Sequence, residues 1–257
     1  MPRAKTKAAR LGAELYALTH RGNVGDVAFY SELARGAECV LELGSGYGRL
    51  IPSLARAAKR VVGLDLDPEL LRLARRTGLN PKTKNRKVQL IAGDMRGFAF
   101  VERSQCVFIP YNGLYCLLTK RDALACFRAA RAALEPGGLI AFDVWNAATF
   151  HRPSEQSSMG AGREAIVSLR HARRVWDVFE STRVRRATQR LDVTYEYVPR
   201  DGGASHRIEI RQRYYLVDEL EQLLRRAGFA IEKRFGDFSL ARYSARSEFL
   251  ILVARAI

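Results

Sequence analysis

The sequence predicts an α/β protein: a doubly wound, mostly parallel, seven-stranded sheet with an antiparallel β insert. Three observations carry this. An apolar run from Cys39 to Leu43 leads into glycines at alternate positions, Gly44, Gly46 and Gly48, and then into a helical pattern through Leu50, Ile51, Leu54 and Ala55. Apolar strand patterns and helical patterns then alternate up to Val144, the rhythm of a parallel sheet covered on both faces. From about residue 147 to 205 the apolar period drops to two, before helical spacing returns at Val217.

Taken in order, residues 1–10 are basic and polar and are expected to fray. A short helical pattern from Leu11 to Leu18 contains Tyr16. After the Gly22-Asn23-Val24-Gly25 turn, Asp26 is placed to cap a second helix running to Ala34. Beyond the glycine turn, strand Arg60 to Asp65 leads to a helix from Pro68 to Thr77, with proline in the first turn. A basic loop over 80–87 precedes strand Val88 to Ala92, which ends in Gly93-Asp94-Met95. Strand Gln105 to Ile109 ends in Pro110-Tyr111-Asn112-Gly113. The helix from Lys120 to Leu134 is stopped by residues 135–138 (Glu-Pro-Gly-Gly), and strand Leu139 to Val144 follows. A proline- and serine-rich loop over 151–162 opens the insert. Its alternating stretches, Val175 to Val184, Leu191 to Val198 and Arg207 to Leu216, turn at Asp201-Gly202-Gly203. Helix Val217 to Ala227 and strands Phe229 to Phe235 and Glu248 to Ala254 complete the core. The chain thus divides into an N-terminal helical segment (1–36), a core (37–146 and 217–257) and an insert (147–216).

The 257 residues, 47% hydrophobic, are enough for one domain with its own core. No apolar run reaches the ~20 residues of a membrane span, and the N-terminus lacks the apolar stretch of a signal peptide, so a cytoplasmic protein without a membrane partner is expected. Cys39, Cys106, Cys116 and Cys126 show no Cys-x-x-Cys spacing and read as buried free thiols, with no metal site. The net charge of +16 admits a nucleic-acid partner. Between Arg163 and Arg190, however, the basic residues alternate with Val, Leu, Trp and Phe, the pattern of a solvated strand face rather than a run.

The functional signal is a set of strand ends. Glycine admits positive φ and the close approach of a ligand, and the helix behind the turn adds unpaired N–H groups. Asp65 ends the second strand about 20 residues beyond the first glycine, the spacing at which a nucleotide-binding unit sets an acid against a ribose. Successive strand ends carry Glu42 with Gly44, Asp65, Asp94, and Pro110 with Tyr111, and in an open parallel sheet these share one edge. Asp65 could alternatively cap the helix that begins near Pro68. The dinucleotide fingerprint Gly-x-Gly-x-x-Gly is not met, because Arg49 follows Gly-Ser-Gly-Tyr-Gly.

Glu42 with that glycine turn resembles motif I of the class I S-adenosylmethionine-dependent methyltransferases. The resemblance implies S-adenosyl-L-methionine as cofactor. Its methionine part would lie beside the glycine turn, its ribose on Asp65, and its adenine with the amino group on Asp94 and the ring covered by Met95; the cofactor-binding residues are then Tyr16, Glu42, Gly44, Ser45, Gly46, Arg49, Asp65, Leu66, Asp94, Met95, Pro110 and Tyr111. The N-terminal segment, with Tyr16, resembles the part that folds over the cofactor in small-molecule N-methyltransferases of the glycine and amino-sugar type. Tyr16 is then a lid or substrate-side residue, or else an aromatic on a buried helix face. In that family a final antiparallel strand closes the sheet and the insert caps the substrate.

Methyl transfer is an in-line displacement that needs alignment first, and a base only if the acceptor arrives protonated. Some relatives carry a histidine after the fourth strand, where this chain has Tyr115 and Cys116, so the resemblance supplies no base. Tyr16, His20 and Tyr115 are the candidates. Trp145, Asn146 and Phe150 either line an acceptor pocket or pack between sheet and insert. The expected activity is methyl transfer to nitrogen or oxygen of a small molecule. The alternatives are an RNA methyltransferase using the basic surface, and a cofactor-binding domain without turnover.

Overall fold

The computed structural model describes residues 2–76, 87–100, 102–151 and 162–257. The chain opens with α1 (Pro2–Thr19) and α2 (Asp26–Leu33), followed by β1 (Cys39–Leu43), α3 (Ile51–Ala57), β2 (Arg60–Asp65), α4 (Pro68–Arg76) and β3 (Val88–Ala92). Then come β4 (Ser104–Ile109), α5 (Lys120–Ala133), β5 (Leu134–Trp145) and the single turn α6 (Ala148–His151). The insert contributes β6 (Glu164–His171), β7 (Arg174–Arg185), β8 (Arg190–Pro199) and β9 (His206–Arg213). The core closes with α7 (Val217–Arg226), β10 (Phe229–Phe235) and β11 (Phe249–Ala256).

The seven-stranded sheet has the order β10-β11-β5-β4-β1-β2-β3. All its pairings are parallel except those of β11, which is antiparallel to both neighbours. From β1 the chain winds outward to β2 and β3, then returns to the other side for β4 and β5. The reversal lies between β1 and β4, where a doubly wound sheet opens a crevice at its carboxyl edge. β1 is buried along its whole length because both faces are covered. Leu41 and Leu43 join a core shared with α5, α7 and the insert, whereas Val40 faces Phe29, Tyr30, Leu54 and Leu71 of the helices opposite. The insert is a separate antiparallel sheet, β6-β7-β8-β9. Its strict alternation in β8 buries Leu191, Val193, Tyr195 and Tyr197 on the face toward the core.

Three expectations need correction. Residues 2–10 are helical and extend α1 to 18 residues, consistent with their Ala, Lys and Arg content. Asp26 does not cap α2, because the N-cap is Gly25 in the left-handed region. Residues 135–138 do not separate helix from strand: β5 starts at Leu134, already paired with Ser104. A register shift follows, with Gly137 at φ 74°, so the Pro-Gly-Gly signal marks a bulge inside the strand. The basic loop expected over 80–87 lies outside the described residues apart from Lys87, as does the loop over 151–162 apart from its two ends. No helix among the described residues is long and apolar enough to cross a membrane.

Two buried carboxylates fasten the N-terminal segment to the crevice. Asp26, 1% exposed, takes both terminal nitrogens of Arg49 at 2.9 and 2.6 Å and the N–H of Asn23 at 3.0 Å. Asp143 of β5 accepts from Tyr30 Oη at 2.6 Å, Asn23 Nδ2 at 3.2 Å and the N–H of Tyr111 at 2.9 Å. Burial pushes its carboxyl up to about 6, against the pull of the Tyr30 and Tyr111 donors. Arg49→Met leaves Asp26 buried without its cation. Denaturant unfolding should show a loss of about 3–5 kcal/mol, the cost of breaking a buried pair from one side.

Candidate active site

One cavity of about 980 Å³ occupies the carboxyl edge of the sheet, at the upper end of the roughly 300–1,000 Å³ usual for ligand clefts. The glycine turn and the ends of β2, β3 and β4 form one half. α1, β8 and β9 form the other. Every residue assigned to cofactor binding from the sequence lies on its wall, together with His20.

The glycine turn follows β1 with Gly44 at φ 73°, Gly46 at φ 54° and Gly48 at φ 79°, conformations that L side chains rarely adopt. Space is not the limit: a Cβ on Gly44 or Gly46 would meet nothing nearer than 3.8 Å. The turn is held open by Asp65, whose Oδ2 accepts the N–H of Gly46 at 2.6 Å while Oδ1 accepts that of Asp67 at 2.8 Å. Burial raises the Asp65 carboxyl, and these N–H groups counter the shift. The capping role considered for Asp65 belongs to Asp67, whose Oδ1 receives the N–H groups of Glu69 and Leu70 at the start of α4.

Beneath the turn, Glu42 is 2% exposed. Among the described residues its Oε2 has no hydrogen-bond partner, nor does Ser45 Oγ beside it. Burial pushes the Glu42 carboxyl up to about 8; Arg49 draws it down, while Asp65 and Asp26 add to the rise. At the mouth, Leu66 is 70% exposed. Asp94 is held by Arg96, whose Nε lies 3.0 and 2.9 Å from its two oxygens, and this guanidinium keeps its carboxyl below the usual range. Arg96 Nη1 also reaches Asp122 at 3.4 Å. Tyr111 stands at φ 54° with the Arg49 guanidinium 5.7 Å from its ring centroid.

The three catalytic candidates separate. Tyr16 and His20 lie on the wall, stacked with centroids 3.9 Å apart. Tyr115 is fully buried away from it and donates its hydroxyl to the carbonyl of Trp145 at 2.6 Å, a structural bond. Its neighbour Cys116 is on the wall instead, contrary to the reading of a buried thiol, while Cys39, Cys106 and Cys126 are buried and free. Trp145 reaches the cavity. Asn146 does not; its Nδ2 donates to the carbonyls of Ser244, Ala245 and Ser247, and Phe150 packs on Tyr214. The sequence reading missed Tyr195, Ile208, Ile210 and Gln212, which line the far half. The period-two pattern told which insert residues share a face, but not that this face meets the cavity.

Residues 40–138 match the Methyltransferase domain family, the stretch from the second residue of β1 into the β5 bulge. The putative methyltransferase YqeM of Bacillus subtilis is 26% identical, over 84% of this chain and 83% of that protein. A dTDP-3-amino-3,6-dideoxy-alpha-D-glucopyranose N,N-dimethyltransferase of Streptomyces fradiae is 26% identical over 86% and 84%. Among solved structures, the CcbJ methyltransferase of Streptomyces caelestis superposes with a TM-score of 0.75 at 26% identity, over 90% of this chain and 88% of that one. DesVI of Streptomyces venezuelae shares the fold, with a TM-score of 0.72 at 20% identity over 96% and 98%. The fold and its glycine turn are those of the Rossmann-like methyltransferases. The chain is an S-adenosylmethionine-dependent methyltransferase.

The buried Glu42 has a consequence for stability. Folding holds its proton to about 8, well above the carboxyl's ordinary 4.5, so stability present at low pH is lost as pH rises through that window. Glu42→Gln should abolish the loss. In thermal unfolding of ligand-free protein, the advantage of E42Q over wild type should widen as pH rises from ~5 to ~8 and level off above that.

Proposed function

We propose that the protein transfers a methyl group to a nitrogen or oxygen of a small molecule held between α1 and the insert. What carries this is the continuity of the cavity, with the glycine turn and Asp65 at one end and the insert face at the other. The residues at the first end fit S-adenosylmethionine. Among the described residues Glu42 Oε2 and Ser45 Oγ lack partners there, next to a turn where a Cβ on Gly44 or Gly46 would meet side chains only at 3.8–3.9 Å. Glu42, Ser45 and the N–H groups of the turn would hold the amino-acid part, Asp65 the ribose, and Leu66, Asp94 and Met95 the adenine, with Tyr16, Arg49, Pro110 and Tyr111 closing around them. When bound, the cofactor supplies an electrophilic methyl on a sulfonium. The chain then has to exclude water and align the acceptor, and α1 with β8 and β9 forms the wall that can do so.

Relatives that methylate amino sugars, such as the Streptomyces fradiae enzyme, support nitrogen as the accepting atom. The basic surface gives less support to an RNA substrate, because several insert arginines are already paired with acids: Arg163 with Glu196, Arg174 with Asp201, Arg185 with Asp192, and Arg200 with Asp177.

Asp65→Ala tests the cofactor assignment. A charge-assisted hydrogen bond is worth on the order of 1.5–3 kcal/mol, so calorimetry should show S-adenosylhomocysteine bound roughly tenfold to a hundredfold more weakly. Wild-type protein should gain thermal stability from S-adenosylhomocysteine and none from NAD; the reverse pattern sinks the assignment. Gly46→Val, which forces a β-branched residue to φ 54°, should abolish binding by distorting the turn.

A further inference from the structure

We propose that the acceptor half of the cavity selects an uncharged molecule that donates an N–H or O–H to Nε2 of His20. The inference rests on the methyltransferase reading and narrows its substrate class. His20 Nδ1 lies 3.0 Å from the carbonyl oxygen of Tyr16. A carbonyl only accepts, so Nδ1 carries the ring proton and Nε2 is left with a bare lone pair. His20 is 6% exposed, stands on the cavity wall, and its Nε2 has no partner among the described residues. Burial pushes the imidazole down to about 4, which keeps it neutral and makes Nε2 a hydrogen-bond acceptor rather than a store for a proton.

The ring is fixed in place. Tyr16 stacks on it at an interplanar angle of 17°, and Tyr195 of β8 meets it edge-on at 4.6 Å. Tyr111 lies edge-on at 6.2 Å, and Tyr47 donates its hydroxyl to the His20 carbonyl at 2.7 Å. Among the described residues the titratable groups in contact with His20 are these four tyrosines, three at its ring and Tyr47 at its carbonyl, and burial raises each of them, so none brings a charge at neutral pH.

A second bare acceptor stands in the same half. Gln212 of β9 is 7% exposed, and its Oε1 lacks a partner among the described residues. Among the described residues no charged side chain reaches the cavity from α1, β8 or β9; Val193, Ile208 and Ile210 supply the rest of the insert wall. Unpaired buried acceptors favour a ligand that brings donors. A wall without counter-ions penalises one that brings a charge.

The test uses the full chain saturated with S-adenosylhomocysteine and four matched rings: phenol, aniline, toluene and benzoate. Isotope-edited nitrogen NMR of the ligand-free protein should show His20 protonated at Nδ1 and bare at Nε2. Phenol and aniline should shift the Nε2 resonance and bind roughly fivefold to tenfold tighter than toluene, and benzoate should gain nothing. The phenol and aniline arms distinguish an O–H acceptor substrate from an N–H one. His20→Phe keeps a ring between Tyr16 and Tyr195, and should erase the preference over toluene while S-adenosylhomocysteine still binds. A proton on Nε2, phenol binding no better than toluene, a preference that survives in H20F, or no ring binding to protein that does take S-adenosylhomocysteine would each overturn the proposal. If H20F does not fold, the wild-type NMR and the phenol-to-toluene ratio decide. Failure of S-adenosylhomocysteine to bind removes the cofactor reading instead, and the same two measurements on ligand-free protein still decide the role of His20.

Discussion

The buried pair between Asp26 and Arg49 is the interaction on which the geometry of the site depends. Arg49 lies just past the glycine turn, and Asp26 lies at the first position of α2. Their bond ties a segment remote in sequence to the crevice between β1 and β4. The fit around it is close: a Cβ on Gly22 would fall 2.1 Å from the Arg49 guanidinium. Separating the two would leave a buried acid unpaired at a cost of about 3–5 kcal/mol, which penalises any other position of the segment. α1 precedes this anchor, and Tyr16 and His20 take their places over the cavity as a consequence. Asp143 makes the anchor double, since it binds Tyr30 and Asn23 from the N-terminal segment and Tyr111 from the end of β4.

The same guanidinium lowers the charge cost at Glu42, though not enough to outweigh burial. The floor of the cavity therefore holds an acid that folding alone does not justify. Buried polar groups without partners destabilise a protein, and sites where local rules are broken without compensation are where function is to be sought. Among the described residues Glu42, Ser45, His20 and Gln212 share that property, and all four line one cavity.

Much of this was legible in the sequence because it is local. A strand running into alternate glycines, and acids at the ends of the next strands, occupy positions that the parallel topology carries to one edge. The parts that stayed hidden depend on tertiary contacts. Nothing in the residues around Asp26 distinguishes a helix cap from the partner of a guanidinium 23 residues later. Gln212 sits between Arg211 and Arg213 in a solvated-looking strand, and its burial appears only once β9 is laid against α1 and the turn after β4. The Pro-Gly-Gly after α5 carried a true backbone signal, positive φ at Gly137, but the same chemistry serves a loop and a bulge, and pairing with β4 decides between them.

His20 shows the limit most clearly. In sequence it is an isolated histidine, for which a structural role is the ordinary assignment. Its chemistry is set by a carbonyl one helical turn earlier, which fixes the tautomer, and by aromatic rings from three other parts of the chain, which exclude water. The cavity is electrostatically divided as a result. The sheet edge places acids and arginines around one end, while the described residues of α1, β8 and β9 offer the other end apolar surface and uncharged polar groups. A cationic methyl donor and an uncharged acceptor would each meet the half that suits it. Crossing them over would set the charge against the wall that lacks counter-ions, so the division itself orients the two reactants before any residue acts on them.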